Sequence, residues 1–164
     1  MSKQDKSNKE QKTEQKVVAY ICRFHDGLWQ LLVFNHDPKF KDAGTQVPAG
    51  TVEPQESLQT ALEREVFEES GLQDLMILSK IDEYEYYQES KKTWAQRHVF
   101  LMLAPQDLPE KWTHEVQGHG DDAKMQFHYF WMPAAATRGK LAADFDKSIK
   151  NLVHFLFQRD QNAH

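Results

Sequence analysis

The chain has 164 residues, a formal net charge of −5 and a hydrophobic fraction of 40%, which fits one domain of ordinary size with a buried core. An acidic balance of this kind argues against a nucleic-acid scaffold, because such proteins are usually basic. Cys22 is the only cysteine, so an internal disulfide is excluded, a thiolate metal site is not expected, and this side chain is predicted in the core.

The N-terminal segment differs in composition from the rest of the chain. Residues 1–16 hold five lysines and three acidic residues, with no aliphatic side chain after Met1. Such a segment cannot bury apolar surface, so we expect a disordered basic tail, with a loose helix or a contact to RNA or a partner as alternatives. We expect the folded domain over residues 17–158 and a short C-terminal tail over residues 159–164. The chain shows neither a signal peptide nor an apolar run long enough to span a membrane, so a cytoplasmic protein without a membrane partner is predicted.

The domain is predicted to open with a β-hairpin. Residues 17–23 and 28–35 are rich in β-branched and aromatic residues, which is typical of strands. Asp26 and Gly27 between them form a favourable hairpin turn. A loop over residues 36–46 follows.

An amphipathic helix is predicted over residues 57–70. The apolar residues that recur every four positions are Leu58, Leu62 and Val66. This spacing places them on one face of a helix. Ser57 suits the N-cap, and Gly71 is placed to end the helix.

The second half of the chain alternates between strands and polar segments. The predicted elements are strands at residues 75–87, 94–104 and 125–133, a hairpin tip at 89–93, a long polar loop at 105–124 and a second amphipathic helix at 145–157. This order indicates a mixed α/β domain.

Three carboxylates share one face of the first predicted helix. Glu65, Glu68 and Glu69 stand at positions i, i+3 and i+4, so they are neighbours on the helix surface. They repel each other unless a cation lies between them, and Mg²⁺ prefers carboxylates together with substrate phosphates. Arg64 can hold one of them in a bidentate pair. For the helix alone, a solvated acidic face is the alternative.

The wider spacing between Gly50 and Leu72 is more specific. It fits G-x5-E-x7-R-E-U-x-E-E-x-G-U, in which U is a bulky aliphatic residue. The matching residues are Gly50, Glu56, Arg64, Glu65, Val66, Glu68, Glu69, Gly71 and Leu72. This is the Nudix box, and the chain resembles a Nudix (MutT-type) hydrolase over roughly residues 17–158. The resemblance implies an α/β Nudix fold, in which a mixed β-sheet is sandwiched between helices (α/β/α).

The resemblance also implies a function. It implies a hydrolase that uses Mg²⁺ or Mn²⁺ to cleave the diphosphate linkage of a nucleoside diphosphate linked to another moiety. The implied metal ligands are the Gly50 carbonyl, Glu65, Glu68 and Glu69, with Glu56 as an auxiliary ligand or as a partner of Arg64. Arg64 would orient the glutamates. The general base differs among relatives and is either Glu65 or a residue on a later loop.

The polar loop at residues 105–124 is long enough to be functional. In the family, this region can supply a further metal ligand or the general base. The candidates here are Glu115, Asp121, Asp122, His114 and His119. Glu115 is the first choice, because a carboxylate suits both roles, and a polar surface loop is the alternative. The two histidines have no cysteine nearby, so structural zinc is not expected.

Arg97 and Tyr87 are the candidate substrate contacts. Arg97 follows the second hairpin and can bind a phosphate, with a solvent-facing arginine as the alternative. Tyr87 lies near the place where some relatives that cleave dinucleoside polyphosphates stack a tyrosine on a base, although tyrosines in strands more often pack. Gln46 and Ala49 replace the aromatic residue and the second glycine of many relatives, so base contacts of that aromatic residue are not expected.

An enzyme is favoured over two other classes of protein. Catalytically silent Nudix-like modules, which bind nucleotides or regulate, have usually lost box carboxylates, and none is missing here. An isopentenyl-diphosphate isomerase-like enzyme needs a cysteine, and Cys22 lies in an unsuitable place. The small-molecule substrate stays open among ADP-ribose, a dinucleoside polyphosphate, a damaged nucleoside triphosphate and a capped RNA end, the one nucleic-acid partner considered. A homodimer through exposed aromatic residues is compatible with the sequence.

Overall fold

The computed structural model describes residues 13–120 and 122–162. The described elements are β1 (Glu14–His25), β2 (Leu28–Asn35), β3 (Ala49–Thr51), α1 (Leu58–Ser70), β4 (Met76–Gln88), β5 (Thr93–Leu103), β6 (Lys111–Glu115), β7 (Gln126–Pro133) and α2 (Ile149–Asn162), with short 3-10 turns at Pro38–Ala43 and Ala134–Ala136. None of these helices is long and apolar enough to cross a membrane. Most of the predicted tail, residues 1–12, lies outside the described residues.

The sheet is mixed and is organised around β1. The strand order is β4-β5-β1-β2-β7-β6, and β3 pairs with β1. The β1–β5 pair is parallel, whereas the other pairs are antiparallel. β3 pairs with the first half of β1 and β2 with its second half. β2 and β3 therefore pair with different segments of β1, and the short strand β3 lies next to α1.

The two helices cover opposite faces of the sheet, as predicted. Alternate residues of β1 belong to different apolar clusters, with Val17 and Ala19 in one and Val18 and Tyr20 in the other. The first cluster contains the buried face of α1, and the second contains that of α2. Cys22 is fully buried in the second cluster, and burial raises the pKa of its thiol, as expected for a core residue.

β1 starts earlier than the sequence pattern predicts. It begins at Glu14, so residues 14–16, which the pattern assigns to the tail, belong to the strand. Their backbone pairs with β5 and β3, while the side chain of Lys16 donates to Thr51 Oγ1 at 2.7 Å. A strand end that is held by backbone pairing and polar side chains carries no apolar signal, so the pattern misses it.

α2 is displaced along the chain relative to its prediction. It starts at Ile149 and extends to Asn162, so much of the predicted C-terminal tail is helical. Phe145, the predicted start, is buried in a turn and accepts a hydrogen bond from the Tyr20 hydroxyl. Residues 143–148 form successive turns, in which the N–H of Lys147 donates to the Asp144 carbonyl at 3.0 Å and the N–H of Ile149 to the Asp146 carbonyl at 3.1 Å. Phe145 was therefore assigned to the helix because it is apolar, although a turn buries it.

The predicted polar loop after β5 is wrong in its central part, which forms the strand β6. β6 pairs with β7 alone in the described sheet. Trp112 packs inward and stacks on Tyr129, with their ring centroids 5.0 Å apart. The outward side chains are polar, as is common for a short edge strand, and this composition favoured a loop.

Candidate active site

Helix α1 forms over the residues that the sequence predicts. Ser57 caps its N-terminus, since its Oγ accepts a hydrogen bond from the backbone of Thr60 at 3.1 Å. Gly71 ends it in the left-handed conformation, with φ of 80°, and its N–H donates to the Phe67 carbonyl. The apolar face is buried against the sheet, so the acidic face turns toward β3 and the loop after β6.

The C-terminal end of α1 is fixed by the neighbouring strands. The backbone carbonyls of Glu68, Glu69 and Ser70 take part in contacts between 2.8 and 3.2 Å long. Their partners are the side chains of Trp112, His114 and Tyr129 and the backbone N–H of Gln117. Such carbonyls lack partners within the helix, so these contacts anchor the turn that carries two of the acidic residues. His114 therefore has a structural position beneath the site.

Arg64 ties the acidic face together. Its Nε and Nη2 donate to the two carboxylate oxygens of Glu56 at 2.8 and 2.9 Å, and its Nη1 donates to Glu65 at 2.8 Å and Glu68 at 3.3 Å. Its Nη2 also donates to the Thr51 carbonyl at 3.0 Å. These contacts lower the pKa of Glu56 to about 2 and raise the pKa of Arg64. Since both oxygens of Glu56 are engaged by Arg64, its position fits that of a partner of the arginine.

Glu69 is the most deeply buried carboxylate of the site. It is 6% exposed, and its Oε1 accepts the N–H of Ala49 at 2.8 Å. Burial raises the pKa of Glu69 well above its usual range despite that hydrogen bond, and the charges of Glu65 and Asp122 raise it further. Burial also raises the pKa of Glu65, against the influence of Arg64. A cation beside these carboxylates would relieve their repulsion.

Two glycines let the backbone approach the carboxylates. A Cβ on Gly50 would lie 2.0 Å from the carboxyl carbon of Glu65. A Cβ on Gly118 would lie 2.8 Å from that of Glu68, and Gly118 also has a φ of +95°. Any side chain at Gly50 would therefore displace Glu65. The role of Gly118 was missed, because a lone glycine in a polar segment gives no signal about what it packs against.

A cavity of about 530 Å³ brings the acidic face of α1 together with the loop after β6. Its lining includes the three box carboxylates and Arg64 on one side, and His119 and Asp122 from the loop. Lys16 and Lys91 also line it. Neither lysine was predicted as a site residue; they come from strand β1 and the β4–β5 hairpin.

The loop supplies a different carboxylate from the one preferred on sequence grounds. Glu115 is exposed at the end of β6 and lies outside the lining of this cavity. Asp122 lines the cavity and acts on Glu69 through its charge. Glu115 lies outside the cavity because it belongs to β6, which holds it at the edge of the sheet. Asp121 lies outside the described residues.

Arg97 is buried, unlike a solvent-facing strand arginine. It is 8% exposed, and its Nη1 donates to the Ala143 carbonyl at 2.7 Å and to the Tyr84 hydroxyl at 3.1 Å. Its guanidinium carbon lies 4.7 and 4.4 Å from the ring centroids of Tyr86 and Phe145. It lines a second cavity of about 170 Å³, which shares several lining residues with the larger one.

Tyr87 lies away from both cavities. It is 42% exposed, and its ring packs edge-on against Trp94, with the centroids 5.5 Å apart. Tyr86 lines the smaller cavity instead. Successive residues of a strand point to opposite faces, so an error of one position moves the tyrosine to the other side of the sheet.

The donor set fits a hard divalent cation. Glu65, Glu68 and Glu69 offer carboxylate oxygens, which such cations prefer, and the cavity contains no thiolate. Across residues 13–120 and 122–162, no three acidic, histidine or cysteine side chains already form a closed metal cluster. Arg64 donates to one oxygen of each of two carboxylates, Oε1 of Glu65 and Oε2 of Glu68, so the second oxygen of each is not engaged by the guanidinium.

Comparison with known proteins gives the wider context. The family model described as NUDIX domain matches residues 12–154. A search of curated proteins found no match.

Several solved structures resemble the chain. The NUDIX domain of Shewanella oneidensis NrtR, complexed with ADP ribose, has a TM-score of 0.65 at 16% identity, covering 95% of this chain and 99% of that one. A NUDIX hydrolase from Listeria monocytogenes gives 0.67 at 17% identity, with coverages of 88% and 95%. A binary complex of a C. elegans Ap4A hydrolase gives 0.63 at 19% identity, with coverages of 89% and 99%. These likenesses confirm the predicted fold.

Proposed function

Because the chain belongs to the Nudix family and is a hydrolase of pyrophosphate bonds, we propose that it cleaves the diphosphate linkage of a nucleoside diphosphate joined to another moiety. The observation that carries this proposal is the convergence of Glu65, Glu68 and Glu69 on one cavity of about 530 Å³. The cofactor of the proposal is Mg²⁺ or Mn²⁺, since the available ligands are oxygen atoms.

The three carboxylates and the Gly50 carbonyl are the proposed metal ligands. A bound divalent cation would neutralise charge on the phosphates and lower the pKa of an attacking water. Arg64 holds Glu65 and Glu68 by hydrogen bonds, so it restricts their orientations before substrate arrives. Its bidentate pair with Glu56 keeps the guanidinium itself in place.

Two carboxylates are candidates for the general base. Glu65 and Asp122 both line the cavity, and either can take a proton from water that attacks phosphorus. Glu65 also accepts a hydrogen bond from Arg64, whereas Asp122 lies on the loop. Asp122→Asn is the cleaner test, because loss of the general base removes the acidic limb of the pH–rate profile, whereas Glu65→Gln also changes a proposed metal ligand.

The substrate contact proposed for Arg97 is a phosphate. Arg97, Tyr86 and Glu69 all line the smaller cavity. A substrate bound at the carboxylates can therefore extend toward Arg97. The solved relatives carry ADP-ribose in one case and are named for Ap4A in another. Both ligands are nucleotides that contain a pyrophosphate bond, which supports the proposed substrate class.

The experiment is hydrolysis of a substrate panel with Mg²⁺, with Mn²⁺ or with a chelator, by the native protein and by Glu69→Gln. The panel contains ADP-ribose, Ap4A, nucleoside triphosphates and a capped RNA. Glu63→Gln is the matched control, because Glu63 is an exposed glutamate of the same helix outside the cavity. Metal-dependent turnover that is lost in Glu69→Gln and kept in Glu63→Gln is the expected result.

Two outcomes contradict the proposal. Full metal-dependent activity in Glu69→Gln would mean that the site is wrongly assigned. Absence of turnover for every substrate, while nucleotides still raise the melting temperature, would favour the alternative of a catalytically silent nucleotide-binding module.

A further inference from the structure

A second charged surface faces the site from the other side of the sheet. It consists of Lys16, Lys91 and Arg97, which we call the cationic wall. Lys16 and Lys91 line the larger cavity, and Lys16 and Arg97 line the smaller one. These residues come from the start of β1, the β4–β5 hairpin and β5. They are brought together by the pairing of β1 with β5.

The cationic wall lies across strand β3 from the carboxylates. Gly50 is in contact distance of Glu65 on the α1 side, and the next residue of the strand, Thr51, therefore points to the opposite face. Lys16 pairs with Thr51 in the β1–β3 register and donates to its Oγ1 at 2.7 Å. The larger cavity is lined by residues of both faces, so it passes around the edge of β3.

Like charges lie close together in the wall. Lys16 and Arg97 are paired in the parallel β1–β5 register, and Lys16 and Lys91 lie 3.5 and 3.7 Å from the same carboxylate, that of Glu14. Arg97 makes no ion pair with any residue of the described ranges, and its recorded partners are a carbonyl, a hydroxyl and two aromatic rings. An anion bound near these three cations would neutralise part of their positive charge.

Within the described residues, the carboxylate that forms ion pairs with the two lysines of the wall is that of Glu14, and it is shared between them. Glu14 lies 3.5 Å from Lys16 Nζ and 3.7 Å from Lys91 Nζ, distances longer than a charged hydrogen bond. The same carboxylate accepts hydrogen bonds from Gln88 at 3.2 Å and Thr93 at 3.4 Å. The lysine ammonium groups therefore retain capacity for a further anion.

We propose that the cationic wall binds phosphates beyond the scissile linkage, and that the substrate is a nucleotide with three or more consecutive phosphates. This inference rests on the proposed function, since the carboxylates fix where the scissile linkage lies. A diphosphate flanked by two riboses, such as ADP-ribose, would leave the wall without a counter-charge. A longer phosphate chain places negative charge on both sides of β3, and lysine ammonium groups suit phosphate oxygens.

The test measures competitive inhibition of hydrolysis and calorimetric binding with inorganic tripolyphosphate and pyrophosphate. Native protein should bind tripolyphosphate more tightly. Lys91→Gln and Lys16→Gln should each weaken tripolyphosphate binding about tenfold, because each removes a charged hydrogen-bond donor. Lys92→Gln is the matched control, since Lys92 is the exposed neighbour of Lys91 and lies outside the cavity.

Glu14→Gln tests the wall from the opposite direction. Removal of the shared carboxylate charge leaves the two lysines without a competing anion, so tripolyphosphate should bind more tightly. Weaker binding in this variant would contradict the inference.

The failures of the two proposals differ. Equal binding of tripolyphosphate and pyrophosphate by native protein, or no difference between Lys91→Gln and Lys92→Gln, overturns this inference while hydrolysis continues. Lys91 is half exposed at a hairpin, so its variant should fold even if Lys16→Gln does not. Absence of hydrolysis in native protein would instead remove the proposed function.

Discussion

The carboxylate side and the cationic wall of the same cavity are held in different ways. On the carboxylate side, Arg64 makes five hydrogen bonds to three carboxylates and a backbone carbonyl. On the cationic wall, Lys91 has one ion pair with a described residue, Glu14 at 3.7 Å, and its side chain is 50% exposed. The carboxylate side is organised before substrate arrives. On the cationic wall, the positive charges are only partly paired with neighbouring carboxylates.

This difference assigns the two surfaces different tasks. Catalytic groups must be held in place to stabilise a transition state. A surface that only binds charge can use flexible lysines, since an ammonium needs no fixed fork geometry. Variants of the carboxylate side should therefore change kcat, and variants of the cationic wall should change KM.

The largest expected effect is that of Glu69→Gln on kcat. We expect a loss of about 10²- to 10⁴-fold, as for removal of a catalytic acid–base or metal-binding group. The metal-free protein should not lose stability, because a neutral amide replaces a buried charge beside Glu65 and Asp122 and can still accept from Ala49. Rates and thermal melting measure the two effects, and a large drop in melting temperature would contradict the description of Glu69 as a strained, buried charge.

Gly50→Ala should cost at least about tenfold in kcat, because its Cβ would occupy the position of the Glu65 carboxylate. Gly120→Ala is the matched control, since nothing lies within 4 Å of a Cβ on Gly120 and this residue lines the same cavity. Steady-state kinetics of both variants provide the measurement. Equal activities would mean that the close approach of β3 to Glu65 has no role in catalysis.

Arg64→Lys should lower the free energy of unfolding by about 1–3 kcal/mol, because an ammonium cannot replace the bidentate pair with Glu56. Denaturant titration gives the value. Arg159→Lys, at an exposed position near the end of α2, should change it little. If the two variants lose the same stability, the guanidinium network does not organise the carboxylate side.

The smallest expected effect is a pH dependence at His98, which joins β5 to the polar start of β1 through a 2.6 Å contact with Gln15. Burial and the charge of Lys80 lower the pKa of His98 below 6.5, and Glu83 opposes this. As the pH falls below the ordinary pKa of histidine, His98 takes up a proton more readily in the unfolded chain than in the folded one. The free energy of unfolding therefore falls with falling pH. His98→Gln should flatten this decline as the pH falls below about 6.5 in urea titrations. An unchanged slope would show that another group causes it.

The carboxylate side was predictable because its determinants are close in sequence. The spacing of Glu65, Glu68 and Glu69 places them on one helical face, and Ser57 and Gly71 bound the helix as expected. Strands β2 and β7 also followed from local apolar patterns. Local periodicity is sufficient for such features, because each one depends on residues within a few turns or one strand.

The rest of the site depends on contacts between distant segments. Asp122 reaches Glu69 because β6 and β7 fold back over the end of α1, and polar residues of β6 favoured a loop. Lys16 lies in a part of β1 without an apolar signal. Tyr86, rather than Tyr87, lines the smaller cavity, which requires the register of the strand to be known.

The most direct test of the central claim is a Mn²⁺ titration followed by electron paramagnetic resonance, with native protein, Glu69→Gln and Glu63→Gln. The claim is that the carboxylates of α1 hold a divalent cation. Native protein and Glu63→Gln should remove the signal of free Mn²⁺ alike, and Glu69→Gln should bind at least about tenfold more weakly. Identical binding curves for native protein and Glu69→Gln would contradict the claim.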